Sequence, residues 1–154
     1  MHATGRHKSL ALIAMPWASF SRPSVQLGAL KGYLEHQSNI QVTCFHPFLQ
    51  VAKAIGLENY RKIADSGWAG EALFSALLFP EHTEAAHRLF RDSRGKITRT
   101  MEPFPELAQR IDKTCRNWLE SVDWSGYFAA GFSLCFNQSL ASLYLAARLK
   151  EQDQ

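Results

Sequence analysis

Three short runs of apolar residues predict the strands of a buried sheet. Residues 9–15 (SLALIAM) are apolar after Ser9 and stop at Pro16, which is typical of a strand buried on both faces. Residues 40–45 alternate apolar and polar side chains, and residues 127–134 form a second continuous apolar run. The pattern therefore predicts three strands, of which the first and the last are fully buried.

Leucines at helical spacing predict a helix between the first two strands. Leu27, Leu30 and Leu34 recur at i, i+3 and i+7, and Ser21 or Ser24 is placed to cap this helix of about 14 residues. A second helix is predicted after the last strand, with Asn137 as its N-cap. One face of that helix carries Leu140, Leu143, Tyr144 and Ala147.

Residues 48–120 predict a helical insertion between the second and third strands. Apolar spacing is helical in residues 49–55, 60–64 and 71–79, with glycines between these segments. A longer amphipathic helix follows and ends near Glu120.

The order of these elements predicts the fold class α/β, because alternating strands and helices favour a parallel sheet with right-handed crossovers. We expect a Rossmann-like three-layer fold with a short parallel sheet of about three strands. No internal repeat or low-complexity linker interrupts residues 1–154, which predicts a single domain. Since a doubly wound sheet usually has about five or six strands, the sequence predicts an incomplete sheet in a domain truncated on its C-terminal side.

Composition excludes several classes of protein. With 154 residues, 46% hydrophobic and 20% charged, the chain resembles neither a disordered segment nor a membrane span. The 17 basic and 14 acidic residues give a net charge of +3, too small to indicate nucleic-acid binding by itself. The basic N-terminus and the apolar run after it are expected to form a buried strand and no signal peptide, because Pro16 interrupts the run and no small-residue cleavage site of the usual form follows. Three widely spaced cysteines, Cys44, Cys115 and Cys135, predict a cytoplasmic protein without a disulfide framework.

Two polar loops follow predicted strands and precede helices. They are residues 15–24, after the first strand, and residues 133–139, after the last. Ligands of open parallel α/β sheets bind beyond the carboxyl ends of the strands. If the two strands are sheet neighbours, these loops lie side by side, and their hydroxyl, amide and guanidinium groups can hold an anionic or amide-rich ligand. The alternative is helix capping with ordinary loop packing.

Other candidate chemistry is weaker. Cys44 and His46 have the spacing to share a metal on one strand face, but no third ligand is nearby, and a packed cysteine is the alternative. His82 and His87 are spaced wrongly for a zinc pair on one helical face. The carboxylates Glu71, Glu102 and Glu106 show no acid/base pattern and are expected on solvated faces.

A basic stretch lies in residues 88–99. Five positive charges there suit RNA, an acidic leader peptide or a partner protein, and a solvated helix face is the alternative. The charges belong to Arg88, Arg91, Arg94, Lys96 and Arg99.

An ordered set of segments resembles a known family. The set begins with residues 15–19 (MPWAS), 22–24 (RPS) and 27–31 (LGALK), and continues with 54–60 (AIGLENY), 70–74 (GEALF), 131–133 (GFS), 137–143 (NQSLASL) and 146–151 (AARLKE). In this order the segments resemble the N-terminal cobalamin-binding region of cobalamin-dependent radical S-adenosylmethionine (SAM) proteins, in particular the C-methyltransferases of peptide natural-product (RiPP) maturation. The resemblance covers nearly the whole chain, from about residue 9 to residue 151.

The resemblance implies a Rossmann-like domain that binds cobalamin ahead of a radical SAM barrel. Such a barrel carries an iron–sulfur cluster on a three-cysteine motif that binds S-adenosylmethionine, and this sequence has no such motif, so no catalysis is expected from this chain alone. A barrel in cis or in trans and a peptide substrate are therefore the implied partners. The chain also lacks the Asp-x-His-x-x-Gly motif that supplies a lower cobalt ligand in many corrinoid domains. The residues predicted to contact the corrin are Trp17, Ser19, Ser21, Arg22, Ser133, Asn137 and Gln138.

A second hypothesis belongs to another class of protein. The chain is then a non-catalytic α/β interaction module, or a truncated remnant, whose helical middle docks a partner. An incomplete sheet also exposes a strand edge, which predicts self-association.

Overall fold

A computed structural model of the chain describes residues 9–93 and 101–152, and it confirms the α/β fold class. The strands are β1 (Ser9–Ala14), β2 (Gln41–Phe45) and β3 (Tyr127–Ser133). They form an open sheet in the order β2-β1-β3, and both neighbours of β1 run parallel to it. This is a small Rossmann-like arrangement with β1 at its centre.

Seven α-helices lie in the described residues, five of them between β2 and β3, where the helical insertion was predicted. They are α1 (Val25–Gln37), α2 (Phe48–Ile55), α3 (Leu57–Ala64), α4 (Ala69–Leu78), α5 (Thr83–Ser93), α6 (Phe104–Glu120) and α7 (Ser139–Gln152). Two short 3-10 helices, Pro80–His82 and Trp124–Gly126, precede α5 and β3.

Successive residues of β2 show that the helices cover opposite faces of the sheet. The Cys44 thiol donates to the Leu27 carbonyl oxygen of α1 across 3.8 Å. The next residue, Phe45, packs its ring against Trp118 of α6, with the ring centroids 5.8 Å apart. Because neighbouring side chains of a strand point to opposite faces, α1 forms one outer layer and α6 belongs to the other. The fold therefore has the three layers that the sequence predicts.

Helix α1 is capped at its start and fastened to β2 along its length. Of the two predicted caps, Ser24 is the one used, and its hydroxyl accepts from the Leu27 N–H at 3.3 Å. Lys31 Nζ donates to the Val42 carbonyl at 2.7 Å, and the Val42 N–H donates to Glu35 Oε1 at 3.2 Å. Polar contacts therefore supplement the single buried leucine of this helix, Leu27.

The prediction that β3 is buried on both faces is wrong. Ala11 and Ile13 of β1 are completely buried, whereas Phe128, Ala129 and Ala130 of β3 are exposed. β1 has a strand on each side and α1 packs over β1 and β2, but β3 is an edge strand. An apolar run has the same composition in either position, so the sequence pattern alone does not separate them.

The prediction for the buried face of α7 is also partly wrong. Tyr144 is buried, but Leu143 and Ala147 are exposed. The helix turns Ala141, Ser142, Tyr144 and Leu145 inward. Tyr144 packs against Phe74 of α4, with ring centroids 5.5 Å apart, and its hydroxyl donates to Asp112 of α6, so α7 rests on two helices of the insertion.

No helix within residues 9–93 and 101–152 is long and apolar enough to cross a lipid bilayer.

Leu107 tests whether α6 is part of the core. Its side chain is completely buried, so Leu107→Ala removes buried surface, leaves a cavity and should lower the free energy of unfolding by about 2–5 kcal/mol. Leu143→Ala removes an exposed leucine and should change it by no more than about 0.5 kcal/mol. Urea denaturation followed by circular dichroism measures both. Equal values for the two variants would contradict the packing of α6.

Candidate functional site

The two predicted loops meet at the carboxyl edge of the sheet, because β1 and β3 are neighbours. Gln138 joins them. Its Nε2 donates to the Met15 carbonyl at 2.7 Å, while its Oε1 accepts from the Cys135 N–H at 3.0 Å. The Gln138 side chain is buried, so these two bonds satisfy it away from water. One amide therefore holds the loop after β1 against the loop after β3.

An open cleft of about 320 Å³ lies between these loops and the first turn of α1. Five of the seven predicted site residues line it: Trp17, Ser19, Arg22, Ser133 and Gln138. The sequence interpretation missed other lining residues, among them Val25, Gln26, Cys135 and Phe136. These residues could have been found from their positions in the sequence, in the first turn of α1 and in the loop after β3. The cleft offers hydroxyl, amide and guanidinium groups beside apolar surface.

The remaining two predicted site residues lie elsewhere. Ser21 lines a second cavity of about 280 Å³ on the other side of the loop after β1, together with Tyr60, Arg61 and Asp65. Its hydroxyl is 3.0 Å from that of Ser19, so the two cavities adjoin.

Asn137 does not line the cleft. The prediction that it caps α7 is also wrong. Its φ is +66°, a left-handed conformation that asparagine tolerates better than most residues. Its Nδ2 donates to the Ala64 carbonyl at 3.4 Å, at the end of α3. Asn137 therefore turns the chain into α7 and links the loop to the insertion.

The N-terminus of α7 is instead capped by Glu71, from α4. Its Oε1 accepts from the Ser139 N–H and its Oε2 from the Leu140 N–H, both at 2.9 Å. Glu71 is only 7% exposed, so the prediction of a solvated carboxylate is wrong. A carboxylate at a helix start satisfies free N–H groups and complements the helix dipole. The one available signal was the charge of Glu71 amid the apolar residues of α4, which is buried on nearly every side.

Trp17 forms a wall between the two cavities. It is 6% exposed and packs against Tyr60 of α3, with ring centroids 4.9 Å apart. Its indole lies against the backbone of α4 at Gly70, where an added Cβ would be 2.0 Å from Nε1. The Trp17 Nε1 has no hydrogen-bond partner in the described part of the chain. Trp17 therefore contributes a packed apolar surface.

Tyr60 fixes the same loop through its hydroxyl, which donates to the Ala18 carbonyl at 2.7 Å. Burial raises the pKa of Tyr60 well above its usual range, so the hydroxyl stays protonated and remains a donor. The loop after β1 is thus held by two hydrogen bonds, one from Tyr60 and one from Gln138.

The cysteines and histidines of the described residues do not gather into a metal centre. Cys44 contacts α1 as described, and the ring of His46 packs against Phe48 at 5.6 Å, so the packed-cysteine alternative describes this pair. Burial raises the pKa of Cys115 to about 12, which keeps that thiol protonated, whereas Cys135 is exposed at the cleft. Within residues 9–93 and 101–152, no group of three or more His, Cys, Asp or Glu side chains is placed to hold a metal.

The basic stretch is only partly described. Arg88 and Arg91 are exposed on α5, and Arg94, Lys96 and Arg99 lie outside the described residues. His82 and His87 have separate neighbours, since His82 lies 3.8 Å from Glu81 and His87 stacks on Phe104 at 4.9 Å.

Comparisons of the chain with protein-family models, with curated proteins and with solved structures give no match.

Glu71→Ala tests the cap of α7. It leaves the N–H groups of Ser139 and Leu140 without their acceptors, so we expect a loss of about 1–3 kcal/mol in the free energy of unfolding. Glu71→Gln keeps one acceptor oxygen and should lose less. The control is Glu120→Ala, at an exposed glutamate of α6, with a change within about 0.5 kcal/mol. Urea denaturation measures all three, and a Glu71→Ala value equal to the control would refute the cap.

Gly70→Ala tests the contact between α4 and Trp17. The new methyl group would overlap the indole, and overpacking of this kind costs about 1–3 kcal/mol. Gly28→Ala is the matched control, because nothing lies within 4 Å of a Cβ there, and in a helix it should stabilise by up to about 1 kcal/mol. Thermal unfolding and the NMR signal of the Trp17 indole N–H measure the effects. An unshifted signal and an unchanged midpoint in Gly70→Ala would contradict this packing.

Proposed function

We propose that this chain is the corrinoid-binding domain of a cobalamin-dependent radical SAM methyltransferase that acts in peptide natural-product maturation. The observation that supports it is the cleft at the carboxyl ends of β1 and β3, built by two loops that belong to the segments resembling that family. The chain is not catalytic alone in this proposal.

The side chains of the cleft suit the edge of a corrin. A corrin is a flat apolar macrocycle fringed with amide side chains, which need donors and acceptors around an apolar surface. Ser19, Ser133 and Gln26 supply hydroxyl and amide groups, while Val25 and Phe136 supply apolar surface. A cleft of about 320 Å³ is open and smaller than a whole cobalamin, so these residues would contact one edge of it.

Each part of the cleft has a distinct role in this proposal. Arg22 and the first N–H groups of α1 favour carbonyl oxygens or a negative group, because a helix start carries partial positive charge. Trp17, held by α3 and α4, keeps the wall rigid, and Gln138 keeps the two loops at a fixed separation. When bound, cobalamin supplies the methyl group that is carried on cobalt.

No histidine of the described residues lines the cleft, so the proposal assigns no cobalt ligand to this chain. The iron–sulfur cluster and S-adenosylmethionine belong to a barrel in cis or in trans. The proposed substrate is a peptide, and neither a membrane nor nucleic acid is a proposed partner. The proposal places the protein in the cytoplasm, and its three free cysteines are consistent with that location.

A titration with hydroxocobalamin tests the proposal. We expect the purified chain to shift the visible absorption of the corrinoid and to retain it through desalting. Val25→Trp, in the exposed first turn of α1, should fill the cleft and weaken binding at least tenfold, or about 1.4 kcal/mol. Arg22→Ala should weaken it less.

Matched variants separate the cleft from the rest of the surface. Leu30→Trp adds the same side chain to α1 outside the cleft, and Arg61→Ala removes an exposed arginine from the neighbouring cavity. Both should bind like the parent chain. The absence of a spectral shift and of retention in the parent chain would refute corrinoid binding by this domain.

The alternative is a protein-interaction module, and one observation favours it. Large apolar side chains are exposed along the helical insertion, at Leu49, Leu57, Trp68, Phe79 and Leu89. Exposed apolar surface of this kind is typical of interaction sites. If the chain does not bind hydroxocobalamin, this alternative becomes the better interpretation.

A further inference from the structure

The two outer edges of the sheet differ. At the β2 edge, the N–H and C=O groups of Val42 are both taken by side chains of α1, Glu35 and Lys31, which also lie 3.5 Å from each other as an ion pair. Charged side chains over a strand edge block the addition of another strand. The β2 edge is therefore closed at its centre.

The backbone groups on the β3 edge follow from the register. In a parallel ladder, successive residues direct both backbone groups alternately to one neighbour and to the other. Since Val42 faces outward and pairs with Leu10, Leu10 directs its groups to β2, and Ala11 directs its groups to β3. Ala11 pairs with Ala130, so Ala129 and Gly131 face inward. The outer edge then presents the N–H and C=O groups of Ala130 and Phe132.

Nothing in the described part of the chain closes this edge. No side chain there bonds a backbone group of β3, and the strand (YFAAGFS) has no charged residue and no proline, the usual protections of an edge. One irregularity lies near its start, where the register shifts at Phe128. The regular, open part of the edge is residues 129–133.

The open segment is complementary to itself about Gly131. In an antiparallel pair of two copies centred on Gly131, Ala130 of each copy lies opposite Phe132 of the other, and both outward residues find partners. Ala129 lies opposite Ser133, and Gly131 lies opposite itself, so the middle of the pair holds small side chains.

Two apolar residues, Phe128 and Leu134, flank the regular segment. Phe128 and Leu134 are 55% and 63% exposed, and each lies three positions from Gly131. Antiparallel pairing about Gly131 therefore brings Leu134 of one copy next to Phe128 of the other, at both ends of the pair. No charged side chain of the strand opposes this approach.

We propose that β3 is a self-association site, at which a second copy of this chain adds its own β3 antiparallel, centred on Gly131. The two sheets then join into one continuous sheet. The inference rests on the strand edges alone and does not depend on corrinoid binding.

Sedimentation velocity and hydrogen exchange of the full chain test the proposal together. The sedimentation coefficient should rise from that of a monomer to that of a dimer with increasing protein concentration. Over the same range, the amides of Ala130 and Phe132 should become protected from exchange, whereas those of Ala129 and Gly131 are protected at every concentration by the ladder to β1. A chain that is monomeric throughout, or a dimer in which Ala130 and Phe132 still exchange fast, would overturn it.

Two pairs of variants sharpen the test. Ala130→Pro removes an outward N–H and should weaken dimerisation at least about tenfold, while Ala130→Ser keeps the N–H and should dimerise like the parent chain. Leu134→Glu places a carboxylate against Phe128 of the other copy and should also weaken it. Leu143→Glu changes an exposed leucine of α7 and should not. Circular dichroism verifies that each variant is folded, and equal dimerisation within either pair would contradict the proposed register.

Discussion

The geometry of the cleft depends on the two hydrogen bonds that the Glu71 carboxylate accepts. Glu71 lies on α4, in the middle of the insertion, and its carboxylate accepts hydrogen bonds from the first N–H groups of α7. Gln138 precedes that helix directly and reaches back to the loop after β1. The position of the loop after β3 is therefore set by a residue of the insertion, and the insertion is part of the architecture of the cleft as well as a covering layer of the sheet.

The opposite wall of the cleft depends on the insertion in the same way. Trp17 fits between Tyr60 and the backbone at Gly70, so α3 and α4 together fix the loop after β1. Both walls thus rest on α4, one through a charged side chain and the other through a residue that has no side chain. Rigid walls of this kind would reduce the ordering cost of binding, because the backbone of the loops is already held in place.

Much of the fold could be predicted from hydrophobic periodicity, because that signal is local. The strands, the helices of the insertion and the neighbouring loops all follow from it. Contacts between distant segments could not be predicted. Glu71 lies far from α7 in sequence, and nothing beside Asn137 shows that its turn is left-handed and its helix capped by another residue. The exposure of β3 escaped prediction for a related reason: an apolar run records that a strand has apolar neighbours, whereas its place in the sheet depends on which strands flank it.

The closed edge of β2 has a consequence for the size of any assembly. A sheet with two open edges can add copies at both ends, and such addition continues into filaments. Here Lys31 and Glu35 occupy the Val42 backbone groups in the middle of the β2 edge, whereas no side chain of the described residues occupies those of β3. If two copies pair through β3, both outer strands of the enlarged sheet are β2 strands. In the proposed dimer, the Lys31–Glu35 ion pair would then oppose further strand addition at both ends and favour a finite particle over a filament.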